Sequence, residues 1–109
     1  MDEITKKRIK NMMEKYVESK VPKHLQTQLR LNFKIRGNNV TLFQERPAFM
    51  SDRWVEIDIA QFRLADGQWR VYWKDSKNKW HNIEEITPEE NFEDQLKKVD
   101  EDKNGFFWV

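Results

Sequence analysis

The chain has 109 residues, 20 Lys and Arg against 19 Asp and Glu, with 38% hydrophobic and 36% charged positions. That length suits one core and is too short for two, so a single domain over 1–109 is expected, and the 13% of aromatic residues means the core is made of few, large pieces. The absence of cysteine excludes disulfides and thiolate chemistry, and two histidines, His24 and His81, argue against a zinc site. No apolar run resembles a leader or a membrane span, so the expected setting is a reducing cytoplasm with no membrane partner. Charge is unevenly spread: residues 1–37 hold ten Lys/Arg against four Asp/Glu, and residues 84–104 hold nine acids against three lysines. Such opposition suits two solvated helix faces that dock or dimerise, or a basic arm for nucleic acid.

Ile9, Met12, Met13, Tyr16 and Val17 recur at helical spacing within Ile4 to Lys20, and Pro22 ends the pattern. Leu29, Leu31, Phe33 and Ile35 then alternate with Arg30, Asn32, Lys34 and Arg36, and Val40 and Leu42 continue the period after Gly37-Asn38-Asn39. This predicts a hairpin in which Ile35 faces Val40, Phe33 faces Leu42 and Arg30 faces Glu45, whether the loop has two residues or four. Pro47 to Arg53 reads as a connection. In the next strand Val55, Ile57 and Ile59 are apolar at odd positions and Ala60, Phe62 and Leu64 at even ones. The flip calls for a bulge or for cover on both faces.

Asp66-Gly67 is a strong turn signal that pairs Leu64 with Trp69, Phe62 with Val71 and Ala60 with Trp73. Trp69, Val71 and Trp73 are therefore expected inside, while Arg63 falls beside Arg70 on the opposite face, a like-charged pair that invites a carboxylate, water or anion. After a turn near Ser76 to Lys79, either Trp80 or His81 turns toward the core, depending on loop length. Thr87-Pro88-Glu89-Glu90 has the pattern of a capping box and predicts a second helix from Pro88 with Phe92, Gln95, Leu96 and Val99 inward. Gly105 is the expected stop, and Phe106 to Val109 is expected to tuck in as a last strand or extended tail. The fold class is thus α+β: an antiparallel meander of about five strands with an N-terminal and a C-terminal helix.

Few residues point to chemistry. Asp100, Asp102, Asn104 and Gly105 match the opening of a calcium loop, but its bidentate acid would fall beyond Val109. His81 with Glu45 or Arg46 would be the machinery of a small enzyme. The three glycines stand in separate turns, so no phosphate loop exists, and no cofactor is expected. Arg63, Arg70, Tyr72 and Lys74 share a predicted sheet face with Trp80 or His81 nearby, where cations would hold phosphates and rings would stack bases. A helix covering that face would make it scaffold instead. Candidate binding residues are Arg46, Arg63, Arg70, Trp80 and His81, with no catalytic residue assigned and only the Asp100, Asp102 and Asn104 group as a metal candidate.

The succession Glu45-Arg46-Pro47, Ala60-Gln61-Phe62-Arg63, Trp69 with Tyr72-Trp73, Trp80-His81, and Asp102 to Gly105 followed by Phe107-Trp108 resembles a family of small bacterial proteins catalogued only as a domain of unknown function. The likeness runs from about Pro22 to the C-terminus. It implies a bacterial, cytosolic, stand-alone domain and no particular activity. Two positions depart from the family pattern, which often has an aromatic residue where Ile83 stands and a proline where Lys103 stands; the second argues against a calcium cage. The expected function is a non-enzymatic binding or interaction module, with single-stranded nucleic-acid binding and the His81 enzyme as alternatives. A homodimer through the Phe106–Val109 tail or an uncovered sheet face is also open.

Overall fold

The structure, a computed structural model, describes residues 1–108. Helix α1 (Glu3–Lys20) starts at Asp2, whose Oδ1 accepts from the Thr5 amide at 2.6 Å, and ends where Val21 turns extended ahead of Pro22. Its inner stripe is the expected one, with Ile9 and Met13 buried and Met12, Tyr16 and Val17 packed beside them. A short 3-10 turn (Lys23–Leu25) leads into five strands: β1 (Arg30–Arg36), β2 (Asn39–Pro47), β3 (Trp54–Ala65), β4 (Gln68–Lys74) and β5 (Trp80–Asn82). They form one antiparallel sheet in the order of the chain.

The hairpin registers match expectation. Ile35 pairs with Val40, Phe33 with Leu42 and Arg30 with Glu45, around a two-residue loop in which Gly37 has φ 57°. Ala65 and Gln68 flank Asp66 and Gly67, both at positive φ, so that Leu64 meets Trp69, Phe62 meets Val71 and Ala60 meets Trp73. The phase flip in β3 is a bulge: Leu42 pairs with Ala60 but Phe43 pairs with Asp58, leaving Ile59 as the extra residue.

Both helices pack on one face of this sheet. Ile9 and Met13 from α1, and Phe92 and Val99 from α2 (Phe92–Glu101), join Leu31, Val40, Leu42, Ala60, Phe62, Trp69 and Val71 in one cluster. Phe92 lies 4.8 Å from the Phe62 ring and 5.0 Å from Trp69, so one aromatic knot ties α2 to β3 and β4. Trp69 is 2% exposed and Trp73 is half-buried. The indoles of this run are interior filler.

Two boundaries near the C-terminus differ from expectation. The helix does not begin at Pro88; its N-cap is Asn91, whose side chain accepts from the Glu93 amide at 2.9 Å. Thr87 to Glu90 instead lies along β4, with Glu89 and Trp69 exchanging both backbone hydrogen bonds at 2.6 and 3.1 Å, and the buried Gln95 Nε2 donating to the carbonyls of Trp69 and Thr87. Trp69 is buried past the end of β5, and its amide would otherwise be left unpaired, which costs more than one cap contributes. The stop is likewise not Gly105: Asp102 ends the helix in the left-handed region at φ 45°, donating its amide to the Lys98 carbonyl. Gly105 sits in the turn beyond.

The tail tucks in without forming a strand over its described residues; Val109 lies outside them. One carboxylate holds it, because Asp102 accepts the amides of Phe106, Phe107 and Trp108 at 2.8, 3.1 and 2.9 Å. Trp108 Nε1 also donates to the Val99 carbonyl.

Candidate functional site

Packing both helices on one face leaves the other open, and the registers fix what it presents. Because residues opposite one another share a face, four rows cross the sheet. Arg36, Asn39, Arg63 and Arg70 form the first; Lys34, Thr41, Gln61, Tyr72 and Asn82 form the second, spanning all five strands. Asn32, Phe43 and Asp58 form the third, which Lys74 and Trp80 complete beyond the bulge, where Lys74 Nζ reaches the Asp58 carboxylate at 2.6 Å. Arg30, Glu45 and Glu56 make the fourth, with Trp54 beyond them.

Each aromatic ring of this face carries a cation. Arg63 stacks on Tyr72 with its guanidinium carbon 3.9 Å from the ring centroid, and Arg30 lies 3.7 Å from the centroid of Trp54. Lys34 stands over Phe43 at 4.9 Å and Lys74 over Trp80 at 5.3 Å. A planar guanidinium on a ring has a second plane, so the two arginine pairs combine positive charge with a stacking surface, which the lysine pairs do not. Arg63 is held there by a relay: its Nε donates to Gln61 Oε1 at 2.6 Å, and Gln61 Nε2 donates to the buried Thr41 hydroxyl at 2.9 Å.

The carboxylates are unevenly shared. Lys34 pairs with Glu56 at 3.2 Å and Lys74 with Asp58, whereas among the described residues none of Arg36, Arg63 and Arg70 pairs with an acid. Arg63 and Arg70 stand side by side with Arg36 across Asn39 from them, so the row concentrates positive charge with no internal counter-charge.

Of the five residues singled out from sequence, Arg63 and Arg70 are paired in the first row, and Trp80 lies on the same face two rows away. Trp80 is placed by the Lys74 to Trp80 pairing, which puts it on the face of Tyr72's neighbour Lys74 and sends His81 to the other side. His81 stacks on Trp73 at 5.1 Å and binds Asp75 through Nε2 at 2.5 Å. Asp75 is occupied as a turn brace, accepting also from the amides of Lys77 and Lys79, and the His81 hydrogen bond first and these amides next hold its carboxyl below the ordinary range. Arg46 lies at the far end of β2, exposed, on the side opposite the Arg63 row, with Nε donating to Gln44 Oε1 at 3.3 Å. Glu45 is three strands away from β5, about 14 Å across the sheet, and lines the cleft between α1 and β1, where His81 is absent. His81, Glu45 and Arg46 therefore do not converge.

Asp100 and Asp102 serve separate ends of the fold. Asp100 accepts from the Tyr16 hydroxyl at 2.8 Å and Lys20 Nζ at 2.7 Å, tying α2 to α1, while Asp102 caps the tail. Asn104 is exposed, and among the described residues no group of three or more His, Cys, Asp or Glu is placed to hold a metal ion. Sequence reading missed Arg36, Arg30, Lys34, Phe43 and Trp54 on the open face. For the first three the signal was present, since they alternate with the apolar stripe of β1.

An open-faced five-stranded meander with two helices on its back defines the class: a small α+β, tryptophan-rich domain, in which no described helix is long and apolar enough to cross a membrane. The chain belongs to the family DUF3024, a domain of unknown function, whose model matches residues 1–109. No curated protein and no solved structure matches it.

Proposed function

We propose that the chain is a non-enzymatic binding module whose ligand is single-stranded nucleic acid, read along the open face of the sheet. The observation that carries the reading is the row of Arg36, Arg63 and Arg70, free of carboxylate partners among the described residues, one row from Tyr72. Rows on one face are about 7 Å apart, so a strand with phosphates on the arginines lays its bases over Tyr72 in the next row and Trp80 in the one after, while Phe43 stays buried beneath Lys34. The guanidinium of Arg63, already flat on Tyr72, offers its outer plane to a base. No side chain here needs to accept or donate a proton, in keeping with binding rather than turnover. The lack of cysteine supports action in a reducing cytoplasm.

Titration with a single-stranded oligothymidine tests this through Trp54 and Trp80. Their emission is expected to quench, with affinity falling roughly twentyfold between 50 and 200 mM salt if about three phosphates are neutralised. Arg63→Ala with Arg70→Ala should weaken binding at least about tenfold, at a stability cost of about 1 kcal/mol from the lost Arg63 stack on Tyr72. An absence of quenching at low salt sinks the nucleic-acid reading, and saturable turnover lost on His81→Ala would sink the non-enzymatic one.

A further inference from the structure

The β2–β3 hairpin end of the sheet exposes a group of apolar side chains beside the exposed Arg46, Asp52 and Arg53. β3 pairs with β4 only from Ala60 onward, so Trp54 to Asp58 has β2 on one side and an unpaired backbone edge on the other. At the same end the β2–β3 connection carries Phe49 and Met50, 93% and 90% exposed, and β3 carries Val55 and Ile57, each 42% exposed. The connection is not slack: Ala48 donates to the Arg53 carbonyl at 2.7 Å and Ser51 to the Ala48 carbonyl at 3.3 Å, with Met50 in the left-handed region. An apolar tip held outward beside an open edge needs cover.

We infer that this end is a homodimer interface in which β3 pairs antiparallel with β3 of a second copy. Register favours self-pairing. With Glu56 on the two-fold axis, Val55 faces the second copy's Ile57 and Ile57 its Val55, giving two apolar cross-strand pairs on one face. The single like-charged contact, Glu56 with its own copy, is relieved by Lys34, which binds Glu56 at 3.2 Å. Shifting the pairing by two residues one way opposes Glu56 to Asp58 twice, and the other way sets Arg53 against Ile57 and Trp54 against Glu56. The side chains of Phe49, Met50, Val55 and Ile57 expose roughly 500 Å² together, against about 800 Å² per partner in a standard interface, and the edge backbone with Trp54 and Arg46 supplies the remainder. A formal net charge of +1 offers little repulsion to association. The pairing keeps faces matched, so both open faces point the same way. Of the two surfaces that sequence left open for a homodimer, the Phe106–Val109 tail and an uncovered sheet face, the tail's Phe106 to Trp108 are taken up within their own chain.

Light scattering on the full chain, without any nucleic acid, tests the interface separately from the binding function. The expected mass is twice 13.4 kDa, and Val55→Lys with Ile57→Lys should return it to one chain while circular dichroism stays native. Because the chain has no cysteine, Glu56→Cys places one thiol on the axis; under mild oxidation it should form a covalent dimer at least tenfold faster than Glu90→Cys. A one-chain mass even at millimolar concentration overturns the proposal and leaves the tip to a different protein or a lipid surface. So does a two-chain mass that survives the double lysine variant, or equal cross-linking at positions 56 and 90.

Discussion

Asp102 shows how one side chain can be misread for sound reasons. Oxygen-bearing residues at 100, 102 and 104 before a glycine suit a cation, but the same spacing suits a chain reversal in which a carboxylate collects amides. Here it collects three, while its own backbone occupies the left-handed region at φ 45°, which Asp tolerates better than most residues. Asp102→Ala should cost about 2 kcal/mol, since it removes charge-assisted hydrogen bonds and strains the backbone. Asp102→Asn, which keeps one acceptor oxygen and the conformational tolerance, should cost less. Urea midpoints for the two variants check this, with Trp108 emission reporting whether the tail loosens. The arginines were easier to read, because Asp66-Gly67 fixes the Arg63 to Arg70 pairing from the turn alone. Trp80 was harder. A five-residue connection sets its face, and one residue more or fewer would reverse it.

Among the elements, α1 and the two tight hairpins were readable in sequence because local signals and tertiary packing agree there. The start of α2 was not. A Thr-Pro-Glu-Glu pattern marks a helix only when no stronger partner claims its backbone, and Trp69 claims that of Glu89. Asn91→Ala should therefore destabilise the protein by about 1 kcal/mol, whereas Thr87→Ala should change stability by no more than about 0.5 kcal/mol, because the exposed Thr87 side chain caps nothing. Thermal or chemical denaturation of the pair decides between the two helix starts. The bulge in β3 was visible as a change of phase but not as a position, since either neighbour of the flip could have been the extra residue.

The pH dependence of stability belongs to the whole molecule, because Tyr16, Lys20 and Asp100 join the first helix to the last. Burial first and the hydrogen bond to Asp100 second raise the Tyr16 hydroxyl far above its ordinary 10.0. The unfolded chain thus loses that proton near pH 10 while the folded chain keeps it, so stability should fall as pH rises above 10. Tyr16→Phe should remove most of that fall. At the acid end the sign is opposite: the Lys20 ammonium, then Tyr16, hold Asp100 below its ordinary 3.8 against the cost of burial, and stability present at neutral pH drains away as pH drops past that value. Unfolding midpoints across both ranges, for the parent and Tyr16→Phe, measure each limb.

At this scale the sequence was most informative about order and least about exposure. Alternation revealed which residues share a face and that the Trp69 face turns inward, but nothing in it told whether the opposite face would be covered or left bare. The single-file sheet has one more implication. With every strand bonded to the one before it in the chain, no partner has to wait for a distant segment to arrive. On the ribosome, each newly emerged strand would find its neighbour already out, and the order of synthesis would also be the order of assembly.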